Sequence, residues 1–151
     1  MSVYTTDVLI EGVRRDDVLA WLSEPKNHRT IVEGAFDGVK ENGPGSLVLD
    51  VKSPPRPRTI QYTFERVDDD HGGRRIHVKL EGRHVNGKLH YSLRTQKPST
   101  NTLVTVHADF FGNGYFLAAA EALGLKPRLE RAFKACAENI QRAVLAANQP
   151  A

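Results

Sequence analysis

Six histidines, four tyrosines and one cysteine are the side chains of this 151-residue chain best suited to acid–base, metal or nucleophilic chemistry. Alternation along a predicted strand places His84 on the inward face of a sheet, opposite Leu89 and on the same face as Tyr91. There it could orient a polar group of a ligand or act as a general base near neutral pH. The other interpretation is a histidine at a strand end whose ring reaches solvent.

The other histidines favour simpler roles. His77, His90 and His107 fall on the outward face of predicted strands, where two of them could bind a transition metal. No third ligand is apparent, so we expect no metal. His28 lies near a predicted helix end, where it complements the helix dipole, and His71 lies in a turn.

Tyr62 and Tyr91 each combine an apolar ring with a hydroxyl that needs a partner when buried. This suits a mostly apolar pocket with one or two polar contacts, and it also suits core packing with a water partner. Cys136 lies on a predicted buried stripe, where a free thiol behaves as a small hydrophobe and not as a nucleophile. A single cysteine excludes an intramolecular disulfide and a cysteine-rich metal site.

Motifs of catalysis and cofactor binding are missing from the sequence. Residues 112–114, Gly-Asn-Gly, form a predicted strand-to-helix turn, because the strand–helix–strand context of a nucleotide fingerprint is absent. No inward pair of carboxylates and no serine–histidine–aspartate order can be defended. Binding is therefore favoured over catalysis, and we expect no cofactor.

Length and charge narrow the class of protein further. At 151 residues with 40% hydrophobic and 26% charged residues, the chain fits one domain spanning residues 1–151. A net charge of +3 is too weak a signal for nucleic-acid binding. The first twenty residues carry Asp7, Glu11 and an arginine pair where a signal peptide is apolar, and no apolar run of about 18 residues occurs. We expect a cytoplasmic protein without a membrane span.

The elements that must position these side chains can be read from periodicity. Residues 3–11 suit a strand with Thr6, Val8 and Ile10 inward, residues 14–22 suit a short helix, and a second short helix starts at Pro25 and ends near Gly34. Five turn signals then divide the stretch from Phe36 to Phe110 into six strands.

The predicted registers place apolar residues opposite one another. A two-residue turn at Asn86-Gly87 would pair Gly82 with Tyr91 and Leu80 with Leu93. Matching the next strands pairs Tyr62 with Leu80, Phe64 with Val78 and Tyr91 with Val106. One continuous apolar face results, made of Leu47, Leu49, Val51, Ile60, Tyr62, Phe64, Ile76, Val78, Leu80, Leu89, Tyr91, Leu93, Val104, Val106, Ala108 and Phe110.

A long helix past Gly124 and Pro127, reaching about Ala147, carries the complementary apolar surface. Its apolar residues recur at steps of four, three, four and four, which predicts a single buried stripe. The large surface available to cover that stripe is the inner face of the sheet. The stripe consists of Leu129, Phe133, Cys136, Ile140 and Val144.

Strand, two short helices, six antiparallel strands and a long C-terminal helix is the order of the helix-grip fold. The stretches that carry a family resemblance are residues 10–13, 18–22, 43–46, 62–68 and 101–106, with the helix through Leu129, Phe133 and Ile140. On these stretches the chain resembles the START-like (SRPBCC) superfamily of polyketide cyclase and dehydrase type, Bet v 1-like proteins. The resemblance implies an α+β fold in which a seven-stranded curved antiparallel sheet wraps around the C-terminal helix. It also implies a cavity between them for a hydrophobic molecule.

Gly82 gives an independent indication of such a cavity, because a missing side chain on the inward face leaves space; alternatively it marks a bulge that bends the sheet. Two functions compete. The first is binding of a small hydrophobic molecule, a lipid, polyketide or aromatic metabolite. The second is a cyclase or dehydratase in which His84 and a tyrosine hydroxyl steer proton transfers. The predicted ligand contacts are Tyr62, Leu80, Gly82, His84, Tyr91, Val106, Leu129 and Phe133.

Overall fold

The computed structural model describes residues 2–52, 57–69, 74–83, 85–97, 100–112 and 121–148. Strand β1 is followed by two short helices, six further strands and a long helix, as the sequence predicts. The helical elements are α1 (Arg15–Leu22), a 3-10 turn (Pro25–Asn27), α2 (His28–Val32), a π-helical turn (Glu121–Leu125) and α3 (Lys126–Ala147). The strands are β1 (Ser2–Ile10), β2 (Gly38–Gly43), β3 (Ser46–Val51), β4 (Arg58–Asp68), β5 (Arg75–Gly82), β6 (Val85–Gln96) and β7 (Asn101–Gly112).

The seven strands described form one curved antiparallel sheet in the order β1-β7-β6-β5-β4-β3-β2. Side chains alternate between its two faces, so the apolar residues of each strand collect on the inner face. All sixteen residues predicted for that face are buried except Phe64, which is half-buried. The α+β helix-grip architecture predicted from the sequence is confirmed.

Helix α3 covers the inner face of the sheet and packs on β1, β7 and α2. All five residues of the predicted stripe are buried, whereas Glu130, Arg131 and Lys134 are exposed. The helix is therefore held by one amphipathic face, as its period indicates. No helix in the part of the chain that the structure describes is long and apolar enough to cross a membrane.

The predicted turn at Asn86-Gly87 is wrong. Strand β5 ends at Gly82 and β6 begins at Val85, and these two residues pair with each other, so Asn86 and Gly87 lie inside β6. The real register pairs Leu80 with Gly87 and not with Leu93, which is a slip of six residues. Because six is an even number, every side chain keeps its predicted face, and the alternation of apolar residues cannot distinguish the two registers.

Gly87 is needed for packing and not for a turn. It pairs with Phe110 on β7, and a Cβ atom at position 87 would lie 3.0 Å from Cδ1 of the Phe110 ring. The missing side chain thus gives room for an aromatic ring to lie over the strand. The other predicted pairs, Tyr62 with Leu80, Phe64 with Val78 and Tyr91 with Val106, are confirmed.

Candidate functional site

Two tyrosine hydroxyls meet inside the apolar core. Tyr62 stands on β4 and Tyr91 on β6, and both rings are completely buried. Strand β5 lies between their strands, and the two side chains reach across it until their Oη atoms are 2.8 Å apart. The inward positions of both tyrosines are as the sequence predicts, whereas their direct contact is not a feature that strand alternation reveals.

His28 joins this pair from the opposite side of the core. Its Nδ1 atom lies 2.5 Å from the Tyr62 Oη atom, and its Nε2 atom lies 2.8 Å from the carbonyl oxygen of Leu22. Leu22 is the last residue of α1, where a helix leaves carbonyl groups without intrahelical partners. His28 lies at a helix end, as the sequence predicts, because its Nε2 atom contacts the last carbonyl group of α1. The sequence does not reveal that its ring is completely buried, with an exposed fraction of 0%.

The direction of this hydrogen-bond chain is fixed at its His28 end. The Leu22 carbonyl can only accept, so His28 Nε2 carries a proton and donates it. In the neutral imidazole Nδ1 then accepts, and Tyr62 is the donor to it. Since the Tyr62 proton is already engaged, the contact between the two tyrosines requires that Tyr91 donates to Tyr62.

All three groups of the chain are neutral at physiological pH. Burial lowers the pKa of His28 to about 4, although the Leu22 carbonyl opposes this change. Burial also raises the pKa values of Tyr62 and Tyr91 well above the usual value near 10. Transfer of the Tyr62 proton to His28 would create two buried charges from two neutral groups and is strongly uphill.

A small apolar cavity borders the chain at Tyr62. The cavity volume is about 10 Å³, which is enough for at most one water molecule. Sheet, α2 and α3 all contribute to its wall. The lining residues are Val32, Phe36, Leu49, Ile60, Tyr62, Leu80, Leu89, Phe110, Phe133 and Cys136.

The predicted ligand contacts are only partly brought together. Tyr62, Leu80 and Phe133 line the cavity, and Val106 and Leu129 are buried nearby in the core. Gly82 is opposite Ile60 at the end of β5 and lines a groove of about 280 Å³ on the outer side of the sheet. The predicted row that set Gly82 beside Tyr91 is therefore wrong, because it depended on the slipped register. The prediction for His84 lies outside the described residues.

Cys136 contributes its thiol to the cavity wall and is 1% exposed. Burial raises its pKa to about 12, so the reactive thiolate is scarce at neutral pH. We expect the native protein to resist a thiol reagent at pH 7 and to react stoichiometrically once denatured. Absorbance of the released chromophore of an aromatic disulfide reagent measures this, and rapid labelling of the native protein would contradict the described packing.

A second polar cluster, which the sequence does not reveal, ties β1 to the π-helical turn. The hydroxyls of Ser2 and Tyr4 each donate to the Glu121 carboxylate at 2.5 Å. Burial and the neighbouring carboxylate raise the pKa of Tyr4. The Tyr4 ring packs on Phe110 and Phe133, both of which line the cavity. Since 117 residues separate Tyr4 from Glu121, no local pattern could have shown the contact.

The outward histidines lie as predicted on the other face of the sheet. His90 pairs directly with His77 on β5 and with His107 on β7, and the His90 and His107 rings stack at 4.8 Å. Partial burial and the neighbouring cationic groups lower the pKa of His90 to about 4. Among the residues that the structure describes, no three histidine, cysteine or carboxylate groups are arranged to hold a metal.

A curved seven-stranded antiparallel sheet closed over a long C-terminal helix is the START-like, Bet v 1-like fold. No protein-family model matches the chain, and no curated protein matches it at a significant level. Solved structures share its fold at low sequence identity. Norcoclaurine synthase from Thalictrum flavum, in complex with dopamine and hydroxybenzaldehyde, is similar with a TM-score of 0.60 and 18% identity over 99% of this chain and 89% of that one.

Two bacterial structures are similar to the same degree. A START superfamily protein from Mycobacterium smegmatis has a TM-score of 0.57 and 15% identity, over 93% of this chain and 98% of that one. A conserved protein from Geobacillus kaustophilus has a TM-score of 0.61 and 12% identity, over 97% of both chains. These likenesses establish the fold predicted from the sequence.

Proposed function

We propose that this protein binds a small, mostly apolar molecule between the inner face of the sheet and α3, with Tyr62 as its polar contact. The observation that carries the proposal is the buried chain of His28, Tyr62 and Tyr91, which adjoins an apolar cavity. Polar groups in a core are costly unless they are satisfied, and apolar residues of the same shape would stabilise the core equally well. The Tyr62 ring forms part of the cavity wall, so a ligand that widens the cavity would come within reach of the Tyr62 hydroxyl.

Binding requires that the cavity widen. A volume of about 10 Å³ admits nothing larger than water, so a ligand must displace Phe133 or move α3 away from the sheet. Gly124, with φ of 118°, precedes α3 in a backbone conformation that favours glycine, and α3 could pivot there. Val106 and Leu129 would then complete the site from the core. Gly82 pairs with Ile60, which lines the cavity, so Gly82 stays a predicted contact at the edge of the site, as does His84.

The structural neighbours support binding of a small molecule. The norcoclaurine synthase structure contains dopamine and hydroxybenzaldehyde. For the present chain, the class of ligand that we propose remains a lipid, polyketide or aromatic metabolite.

A cytoplasmic location for this protein stays a prediction.

The second candidate, a cyclase or dehydratase, has less support. Such an enzyme needs a base within reach of the abstracted proton, and His84 remains the predicted base for that reaction. Among the described residues, the histidine that reaches a tyrosine hydroxyl is His28, and its pKa of about 4 makes it a weak base at neutral pH. Proton transfer through the His28 chain is therefore disfavoured, and binding is the function that we propose.

Naphthalene, whose fluorescence changes in an apolar environment, tests the proposal. We expect one saturable site per chain and a loss of affinity of about tenfold or more in Cys136→Leu, because the larger side chain fills the cavity. Lys134→Leu adds a leucine at an exposed position of the same helix and should leave binding unchanged. Absence of saturable binding to the wild type, or equal binding by Cys136→Leu, would refute the proposed site.

A further inference from the structure

Tyr4 covers the seam between the sheet and α3 where Phe110 on β7 meets Phe133 on α3. Both phenylalanines line the cavity, and their ring centroids lie 6.1 Å apart. The Tyr4 ring packs on both of them, with its centroid 5.7 Å from each. All three rings are buried. A molecule that reaches the cavity through this seam must first displace Tyr4.

The hydroxyl of Tyr4 is held by a carboxylate of the π-helical turn. Tyr4 and Ser2 each donate to a different oxygen of Glu121, which is half-buried. Burial and the neighbouring carboxylate raise the pKa of Tyr4, so its hydroxyl keeps the proton that it donates. Hydrogen bonds to an ionised acceptor are stronger than those between neutral groups. The turn is thus fastened to β1 by charge-assisted hydrogen bonds.

Gly124 separates this turn from α3. The chain kinks there with φ of 118°, which glycine adopts without strain. After the kink, Leu125 and Leu129 are buried in the core, and exposing them would cost their burial. Before the kink, the half-buried Glu121 is held by hydrogen bonds that water can replace. The turn can therefore swing about Gly124 while α3 stays on the sheet.

We propose that residues 121–123 form a lid over this seam, with Gly124 as its hinge. The hydrogen bonds of Ser2 and Tyr4 to Glu121 are the latch that holds the lid closed. When the latch opens, the Tyr4 ring can leave the seam, and a small apolar molecule enters between the sheet and α3. The lid closes again over the bound molecule, because the latch residues do not line the cavity. The inference rests on the proposed binding function and deepens it by naming the entry route.

A latch of this kind controls rates more than affinity. If the lid opens for both entry and release, a weaker latch increases the open fraction of the free and the bound protein alike. Tyr4→Phe keeps the ring on the seam and removes the latch hydroxyl. The association and dissociation rates of naphthalene, followed by stopped-flow fluorescence, should both rise about tenfold, while Kd changes by about threefold or less.

Thr102→Val is the matched control. The Thr102 hydroxyl donates to the Val13 carbonyl at 2.7 Å, and Thr102 pairs with Ile10, at the opposite end of β1 from Tyr4. The variant loses a buried hydrogen bond of the fold without touching the lid, so both rates should stay within about twofold of the wild type.

A double variant tests whether Tyr4 acts through Glu121. Glu121→Leu removes both latch hydrogen bonds and should raise the two naphthalene rates by about tenfold or more. Adding Tyr4→Phe to Glu121→Leu should raise them no further, since the partner of the hydroxyl is already lost. Independent, multiplying effects of the two substitutions would overturn the inference.

Cys136 reports lid opening without a ligand, because it lines the cavity. Methyl methanethiosulfonate, a small thiol reagent, should label Cys136 of the native wild type slowly and that of Tyr4→Phe about tenfold faster. Mass spectrometry of samples quenched at successive times measures the labelling rate. Equal rates in the wild type and Tyr4→Phe would overturn the inference. An equal rise in Thr102→Val would also overturn it, because global unfolding would then expose the thiol.

The two measurements separate the lid from the binding function. If naphthalene binds with the same rates to the wild type and to Tyr4→Phe, the seam is not the entry route and the inference fails. If naphthalene does not bind the wild type, the proposed binding function fails, and the labelling of Cys136 decides whether the lid opens. Ser2→Ala removes the other latch hydrogen bond and covers the case in which Tyr4→Phe does not fold. It should accelerate labelling by about threefold, and an unchanged rate there would overturn the inference.

Discussion

Replacing Phe133 with alanine is expected to lower the free energy of unfolding by about 3–5 kcal/mol. The ring is 3% exposed, and its centroid lies 5.7 Å from that of Tyr4 and 6.1 Å from that of Phe110. Since these neighbours belong to β1 and β7, Phe133 is a contact by which α3 holds the sheet. Rigid strands cannot collapse fully into the lost volume, so a cavity term adds to the lost burial. Urea unfolding followed by circular dichroism measures the change.

Phe111→Ala is the matched control, because that ring is 39% exposed on β7 and its loss should change stability by roughly 0.5 kcal/mol or less. The enlarged apolar cavity of Phe133→Ala should also bind benzene, and saturating benzene should restore part of the lost stability by linkage. An unchanged unfolding midpoint for Phe133→Ala would contradict the packing of α3. A midpoint insensitive to benzene would show that the core closes over the site.

The inner face of the sheet could be predicted because alternation of apolar residues is a local signal. Thr6, Val8 and Ile10 share the buried side of β1 with Tyr4, whose side chain is 3% exposed. The residues of the inner face are predicted correctly even though the turn at Asn86-Gly87 is wrong, because a slip of six residues preserves the side that each residue faces. Alternation does not determine how far along its strand a residue lies. The sequence therefore misplaces Gly82 along β5 relative to Tyr91.

His28 could have been found from helical spacing. His28, Ile31 and Val32 follow the i, i+3, i+4 pattern of a buried helix face, and all three are buried. The helix has only five residues, so its periodic signal is short. A histidine by itself does not indicate burial, because this residue type is found both in cores and at surfaces. The partner carbonyl on Leu22 depends on the angle between α1 and α2, which no local pattern contains.

The polar contacts of the core cannot be predicted from local sequence patterns, and the reason is general. Tyr62 and Tyr91 were placed inward correctly, yet whether two hydroxyls on strands separated by β5 meet depends on the curvature of the sheet. The contact between Tyr4 and Glu121 joins residues 117 positions apart. Such pairs are set by the packing of whole elements, whereas faces and periods are set by neighbours in sequence.

The stability of the native protein is expected to fall as the pH is lowered from 6.5 to 4, and His28 should account for about 3 kcal/mol of that loss. Its pKa is lowered from 6.5 to about 4 by burial. In this window the unfolded chain takes up a proton at His28 and the folded chain does not, so acid favours unfolding. The contribution is fully present above pH 6.5 and is lost by the time the pH passes below about 4. Urea unfolding at pH 7, 6, 5 and 4 measures it.

Comparison with His28→Gln isolates this part of the pH dependence. The glutamine amide can accept from Tyr62 and donate to the Leu22 carbonyl but does not titrate, so the variant should lose about 3 kcal/mol less than the wild type over the same range. His90, whose pKa is also lowered to about 4, titrates in the same window on the outer face, and His90→Gln provides the matched control. Its effect should be the smaller of the two because its ring is partly exposed to solvent and His28 is completely buried. If wild type and His28→Gln show parallel stability profiles between pH 7 and 4, His28 is charged or solvated in the folded protein, and the neutral hydrogen-bond chain on which the proposed site depends does not exist.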